Sequence, residues 1–326
     1  MSERSGMPHC GRFAGAPECG SETRGTDAFG TALVPETLLE AQGARDRAVC
    51  AVCPHECRLR EGSFGVCGTR TVSAGRIVSL NYGQATALAL DPIEKKPLAR
   101  FHPGSLVLSY GSFGCNLRCP FCQNSDISMA DAEGRAASGA RFVPPEALVA
   151  HALDLRDRGN IGIAYTYNEP LIAPEYLFDC VALAREAGLA NVAVTNGYVS
   201  ADAWDAALRC LDAVNIDLKC YSEEGYRSLG APGGLAVVKR SIEAAVAAGV
   251  HVEVTTLVVP GLSDDEGLFE QECAWLASID PSIPLHLSRF FPAYRMAEAQ
   301  PTSRELLERF RRIAEASLAH VYLGNV

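Results

Sequence analysis

The amino-acid sequence predicts an α/β protein whose main body is an open, partial (β/α)6 barrel, preceded by a small cysteine-rich module and a disordered leader. Three observations carry that expectation. From about residue 105 onward, apolar runs and amphipathic stretches alternate at a spacing of about thirty residues, as right-handed βαβ units on a parallel sheet require. Upstream, Cys50, Cys53, Cys57 and Cys67 form a group C-x2-C-x3-C-x9-C, and a second group, C-x3-C-x2-C, follows at Cys115, Cys119 and Cys122. Ahead of both, residues 1–45 are rich in Gly, Ala, Ser, Thr and Glu, with little apolar periodicity outside 35–41, too little to build a core. The expected division is a leader at 1–45, a cysteine-rich module and connector at 46–100, and the barrel at 101–326.

Composition narrows the function classes. A chain of 326 residues can hold one main domain and a smaller piece. Its net charge of -10 argues against nucleic acid or an anionic membrane as partner. No apolar stretch reaches the length of a membrane span, and the polar start at Met1 lacks a signal-peptide core, so the expectation is a cytoplasmic protein. Thirteen cysteines could suggest disulfides, but their grouping suggests metal in a reducing compartment. Cys10 and Cys19 fall in the leader and read as exposed thiols without a role. Cys180, Cys210, Cys220 and Cys273 read as core thiols, with Cys220 bordering Lys219.

In the module, four cysteines with Gly62, Gly65 and Gly68 to bend the chain suffice for a tetrahedral site. Structural zinc and an auxiliary 4Fe-4S cluster both use four sulfurs; zinc is the commoner occupant of compact four-thiolate sites. Reduced cysteines without metal are the alternative, weakened because so short a module has little other core. His55 reads as a bystander. The stretch 76–101, with a β-like run at 76–80 and then Asp91-Pro-Ile-Glu-Lys-Lys-Pro-Leu98, reads as a connector whose charges form a solvated turn.

The barrel strands are expected at 105–110, 161–167, 191–195, 213–219, 251–257 and 283–288, with helices at 145–158, 174–187, 201–211, 234–248 and 303–318. In such a barrel the chemistry lies where the strands end. After the first strand comes the loop Gly111-Ser-Phe-Gly-Cys115-Asn-Leu-Arg-Cys119-Pro-Phe-Cys122. Spacing of i, i+4 and i+7 also fits one face of a helix bearing buried thiols, but the glycines, Asn116 and Pro120 oppose a helix. Three thiolates can hold three irons of a cubane cluster and leave the fourth iron open to a small molecule.

Polar residues gather at the other strand ends. In Thr166-Tyr-Asn-Glu-Pro170, Asn168 or Glu169 fits a helix cap with Pro170 in the first turn. Asn196-Gly197 ends the third strand as a turn signal. On the fourth strand a period of two puts Asn215, Asp217 and Lys219 on one inward face. Buried Asp and Lys are costly unless paired or liganded, so this face reads as a site, with a structural ion pair as the alternative. His286 and Ser288 point inward from the sixth strand, where a lone His also fits a satisfied core residue.

The C-x3-C-x2-C run with Phe121 before its last cysteine resembles the cluster motif of the radical S-adenosylmethionine superfamily. The resemblance implies a 4Fe-4S cluster on Cys115, Cys119 and Cys122, with S-adenosylmethionine chelating the fourth iron. It implies reductive cleavage to a 5'-deoxyadenosyl radical that abstracts hydrogen from a substrate, with Phe121 against the adenine. The strings TYNEP, VTNGY, DLK, EVTTLVVPG and HLSRF together resemble the pyruvate formate-lyase-activating enzyme branch. Within it the chain is similar to the radical enzymes of the AmmeMemoRadiSam system, through DPIEKKPL and the CxxCPHxC module, over residues 48–326.

By that resemblance Asn168 and Glu169 accept the ammonium of S-adenosylmethionine, although their wording departs from the usual Gly-Gly-Glu, and Asn196, Asp217, Lys219 and His286 also contact it. Implied partners are a reductant such as flavodoxin or ferredoxin, and either Memo-like and AMMECR1-like proteins or a glycyl radical enzyme. No inserted ferredoxin-like pair of cysteine motifs follows Cys122, which favours the former over a dedicated activase. A non-catalytic iron–sulfur protein would leave the inward Asp217, Lys219 and His286 without a purpose. A zinc-bearing nucleic-acid module conflicts with the acidic balance.

Overall fold

The computed structural model describes residues 47–129 and 139–326; the expected leader, with Cys10 and Cys19, lies outside them. The module opens with two small hairpins. β1 (Arg47–Val49) pairs antiparallel with β2 (Arg58–Arg60), and β3 (Arg70–Ser73) with β4 (Arg76–Ser79). After β5 (Gln84–Ala85) the chain enters the main sheet as β6 (Ala87–Pro92), antiparallel to β7 (Leu106–Gly111). The short α1 (Ser125–Ser128) and β8 (Arg141–Phe142), which pairs with β5, precede the regular repeat.

That repeat runs α2 (Pro145–Asp154), β9 (Asn160–Tyr165), α3 (Pro174–Glu186), β10 (Ala190–Thr195), α4 (Ala201–Leu208) and β11 (Ala213–Asp217). It continues with α5 (Glu223–Ser228), α6 (Gly234–Ala247), β12 (His251–Val258), α7 (Glu266–Ile279), β13 (Leu285–Arg289), α8 (Arg304–Glu315) and β14 (Val321–Gly324). The sheet order is β14-β13-β12-β11-β10-β9-β7-β6, with every neighbouring pair except β6–β7 parallel. Strands that follow one another without reversal make an open barrel and exclude the doubly wound alternative, whose order reverses at its middle.

The elements begin and end for local reasons. Pro145 and Pro174 start α2 and α3, where a missing N–H is harmless. Side chains of Ser200, Ser222, Asp265 and Ser303 cap α4, α5, α7 and α8 by accepting backbone N–H groups. On α8 the buried Leu307, Phe310 and Ala314 form one stripe against the sheet. Central strands are buried on both faces: Ile163, Ala164, Val192, Ala193, Ala213, Val214 and Ile216 are all 0% exposed, as parallel strands under helices require. Trp204 of α4 is likewise enclosed and donates its indole N–H to the Ser241 carbonyl at 2.8 Å. Burying one such large side chain contributes roughly 1.5–3 kcal/mol.

All six expected strands and five expected helices are present, and Cys180, Cys210, Cys220 and Cys273 are buried core thiols. Three differences matter. β6 already belongs to the barrel sheet, inside the stretch assigned to the connector. The strand at 161–167 stops at Tyr165, because Tyr167 adopts a left-handed φ of 71°. The strand at 213–219 stops at Asp217, so Lys219 lies just beyond it. The additional α5, α7 and β14 are short or carry a buried polar residue, such as Glu272 in α7, that blurs the periodicity.

Candidate active site

β7 delivers the chain at Gly111 into the loop bearing Cys115, Cys119 and Cys122. The loop is clamped from the next strand end. Asn168 accepts the Ser112 N–H at 3.0 Å and donates to the carbonyls of Phe113 (3.2 Å) and Gly114 (3.0 Å). Gly114 has a φ of 86°, and a Cβ there would lie 2.4 Å from Thr69 and 2.7 Å from the Cys67 carbonyl, so only glycine lets the loop approach the module this closely. The Leu117 N–H points at the Cys115 sulfur at 3.4 Å, and the Asn196 amide lies 3.7 Å from it.

All three thiols line one cavity of about 930 Å³ at the C-terminal ends of the strands. Burial pushes the Cys115 thiol well up and Cys119 up to about 11, the latter opposed by Lys219. Metal binding takes each sulfur as a thiolate, with iron in place of the proton. Three such donors, N–H groups aimed at sulfur, and open space beyond them fit a cluster with one iron free of protein ligands.

The strand ends supply the cavity's polar wall, which holds Phe121, Asn168, Glu169, Asn196, Asp217, Lys219 and His286. Glu169 is 4% exposed and accepts hydrogen bonds from Leu171 N–H (3.0 Å), the Thr195 hydroxyl (2.8 Å) and Asn196 N–H (2.8 Å). Burial pushes its carboxyl up to about 7 against those bonds. Its contact with Leu171 is the helix cap foreseen for this position. Asn196 ties this strand end to the cluster loop, donating to the Asn116 side chain at 2.9 Å.

Lys219 donates to Asp217 at 2.7 Å. Burial opposes its charge, but Asp217 and the thiols of Cys119 and Cys122 outweigh it and hold its pKa above the ordinary lysine value. Asn215 does not reach the cavity; it bonds the Pro97 carbonyl and Thr255. His286 contacts the Glu253 carboxylate at 2.6 Å through Nε2 and stacks on Tyr322, with ring centroids 5.2 Å apart.

The stretch expected to be a solvated turn is instead a wall of the cavity. Lys96 is 3% exposed, bonds Asp91 at 3.0 Å and lies 4.5 Å from the Tyr167 ring centroid. Asp91 also accepts from the hydroxyls of Ser109 (2.9 Å) and Tyr167 (2.8 Å). Burial alone would raise its pKa; the three donors reverse that and lower it to about 2. Glu253 and Tyr322 were likewise not singled out by sequence, although a carboxylate inside an apolar strand is a signal in its own right. Cys50, Cys53, Cys57 and Cys67 lie in the module against the cluster loop and do not line the cavity. Among the described residues no three or more His, Cys, Asp or Glu side chains are drawn in as around a single metal ion, and that holds for both cysteine sets.

The radical SAM superfamily model matches residues 110–270. An uncharacterized protein of Methanocaldococcus jannaschii is 38% identical over 281 residues, 85% of this chain and 81% of that one. The pyruvate formate-lyase-activating enzyme of Clostridium pasteurianum is 29% identical over 161 residues, and a GTP 3',8-cyclase of Corynebacterium glutamicum (strain R) is 32% identical over 164 residues. These matches cover 47% and 46% of this chain, and 62% and 40% of those proteins. A radical SAM methyltransferase from Sphaerobacter thermophilus shares the fold, with a TM-score of 0.50, 18% identity and coverage of 68% of this chain and 67% of that one. Residues 110–270 carry the radical SAM domain, whose cofactors are a 4Fe-4S cluster and S-adenosylmethionine. No helix among the described residues is long and apolar enough to cross a membrane.

Proposed function

We propose that the protein is a radical enzyme that binds its cluster through Cys115, Cys119 and Cys122 and abstracts a hydrogen atom from a substrate held in the adjoining cavity. One observation carries this reading: the three thiols and the polar ends of the parallel strands open into the same space. The bound cofactors supply reductive cleavage of S-adenosylmethionine to a 5'-deoxyadenosyl radical. The protein's own part is to bind, orient and exclude water. Phe121, 3% exposed at the cavity wall, offers a flat apolar face to adenine. Glu169 offers a buried carboxylate to an ammonium, while Asn168 and Asn196 hold the cluster loop in register with it. The Asp217–Lys219 pair and His286 present both signs of charge to the rest of the nucleoside and amino acid.

The substrate is handled with partner proteins, Memo-like and AMMECR1-like, after an electron arrives from flavodoxin or ferredoxin. A second reading, activation of a glycyl radical enzyme, draws on the likeness to the pyruvate formate-lyase-activating enzyme. The test is anaerobic reconstitution with iron, sulfide, dithionite and S-adenosylmethionine, followed by assay of 5'-deoxyadenosine, with Cys119→Ala in parallel. Nucleoside from the wild type and none from the variant is expected. A reducible cluster whose spectrum ignores S-adenosylmethionine would sink the enzyme reading and leave a non-catalytic iron–sulfur protein.

A further inference from the structure

We propose that Cys50, Cys53, Cys57 and Cys67 hold a second, tetrathiolate metal centre, and that Asn116 couples this centre to the catalytic cluster. The coupling rests on the cluster reading above; the metal site does not.

The four cysteines lie on one short stretch folded on itself, with Cys50, Cys53 and Cys67 buried and Cys57 half-buried. The loop closes on itself through the Cys50 N–H to the Cys57 carbonyl at 3.0 Å. Donors already point at sulfur: the Val66 N–H at Cys57 (3.4 Å) and the Thr69 hydroxyl beside Cys67 (3.4 Å). At Gly65 a Cβ would lie 3.5 Å from the Cys57 sulfur and 3.7 Å from that of Cys67, so a side chain would fill the space between two ligands.

An independent observation comes from Arg70. It is 1% exposed, and its terminal nitrogens are satisfied by Glu175 and the Ile172 carbonyl. Its Nε–H has no partner, and the guanidinium lies within electrostatic reach of Cys50 and Cys67. A buried donor without an acceptor is unfavourable, and metal-bound thiolates are anionic acceptors of the kind it lacks. Zinc and a 4Fe-4S cluster share this four-sulfur chemistry.

The two cysteine loops are in contact. The His55 ring bonds the Asn116 carbonyl at 2.8 Å, and Arg118 donates to the Val66 carbonyl. The Asn116 side chain donates to the Tyr198 carbonyl at 2.6 Å and accepts from the Asn196 amide at 2.9 Å, and that amide lies 3.7 Å from the Cys115 sulfur as a donor. Asn116 therefore joins the module, through His55, to the amide that donates to a cluster sulfur. Hydrogen bonds to cluster sulfurs are among the levers that set cluster potential.

The experiment uses the full chain with Cys115, Cys119 and Cys122 all replaced by alanine, reconstituted anaerobically with iron and sulfide or with zinc. About one zinc, or about four irons with sulfide, is expected to remain per chain, and the two arms identify the metal. A metal content no higher than in a chain also lacking Cys50, Cys53, Cys57 and Cys67 overturns the site. Coupling is read from the EPR spectrum of the reduced catalytic cluster in Cys53→Ser and, should that variant not fold, in Asn116→Ala. Shifted g-values at unchanged catalytic-cluster content are expected; an unshifted spectrum overturns the coupling. Neither readout needs S-adenosylmethionine turnover, so failure of the nucleoside assay does not touch them.

Discussion

Glu253 shows how one side chain organises a site it does not line. Its Oε1 accepts the Arg100 N–H at 2.8 Å and contacts His251 at 2.9 Å, while its Oε2 accepts the Ala99 N–H at 2.9 Å and contacts His286 at 2.6 Å. It thus pins the wall segment to β12 and leaves His286 only Nδ1 for the cavity. Burial alone would raise its pKa, but the four donors lower it to about 2. A carboxyl with a depressed folded pKa stabilises the fold above its ordinary value near 4.5, and that contribution is lost as pH falls towards 2. Glu253→Gln keeps the shape and removes the charge, and is expected to cost about 1.5–3 kcal/mol at pH 7. Urea unfolding at pH 7 and pH 3 checks this: the gap between variant and wild type narrows at pH 3. An equal gap at both values would mean that the carboxylate is not held ionised.

The segment from Asp91 to Leu98 makes the corresponding case for an element. Lys96 is almost fully buried, with Asp91 as its charge partner. Removing one member of a buried pair leaves an uncompensated charge, so Asp91→Ala is expected to destabilise by about 3–5 kcal/mol, whereas Asp91→Ala with Lys96→Met recovers most of that loss. Denaturant titration of the single and double variants decides it; a double variant no better than the single one would refute the pairing. This element also marks where sequence reading stops. The six strands and their helices were legible because apolar periodicity is local, and the three thiols that share the cavity because their spacing sits within eight consecutive residues, 115–122. Charges in DPIEKKPL looked solvated because the groups that bury Asp91 lie far along the chain: Ser109 is 18 residues away and Tyr167 is 76. Lys219 and Asp217 were found by a strand alternation that ends before Lys219, so the right pair emerged from a slightly wrong register.

Among the described residues, a module with little apolar interior rests on a barrel with a large one, and the two share one apolar core as well as polar contacts. The module contributes Ala48, Cys50, Val52, Leu59, Val72 and Ile77 to the core, far fewer residues than the barrel. The polar contacts that help dock it include the Ser200 N–H on the Val52 carbonyl (3.0 Å), the Asn81 amide on the Phe113 carbonyl (2.9 Å), and the Arg70–Glu175 pair at 2.8 Å. Arg70 belongs to β3 and Glu175 to α3, so this ion pair spans the junction with its Arg side chain 2% exposed. Glu175→Ala strands a buried guanidinium at the junction, at an expected cost of about 3–5 kcal/mol. Parts with few buried apolar contacts open at lower free energy than the core they rest on, so the loss falls on the module first. Native-state hydrogen exchange tests that ordering. In Glu175→Ala, amides of β1 to β4 should lose protection while those of β9 to β12 keep theirs. A uniform loss across both would show that module and barrel unfold as a single cooperative unit, and the cluster loop between them would then owe its position to the whole fold and not to the docked module.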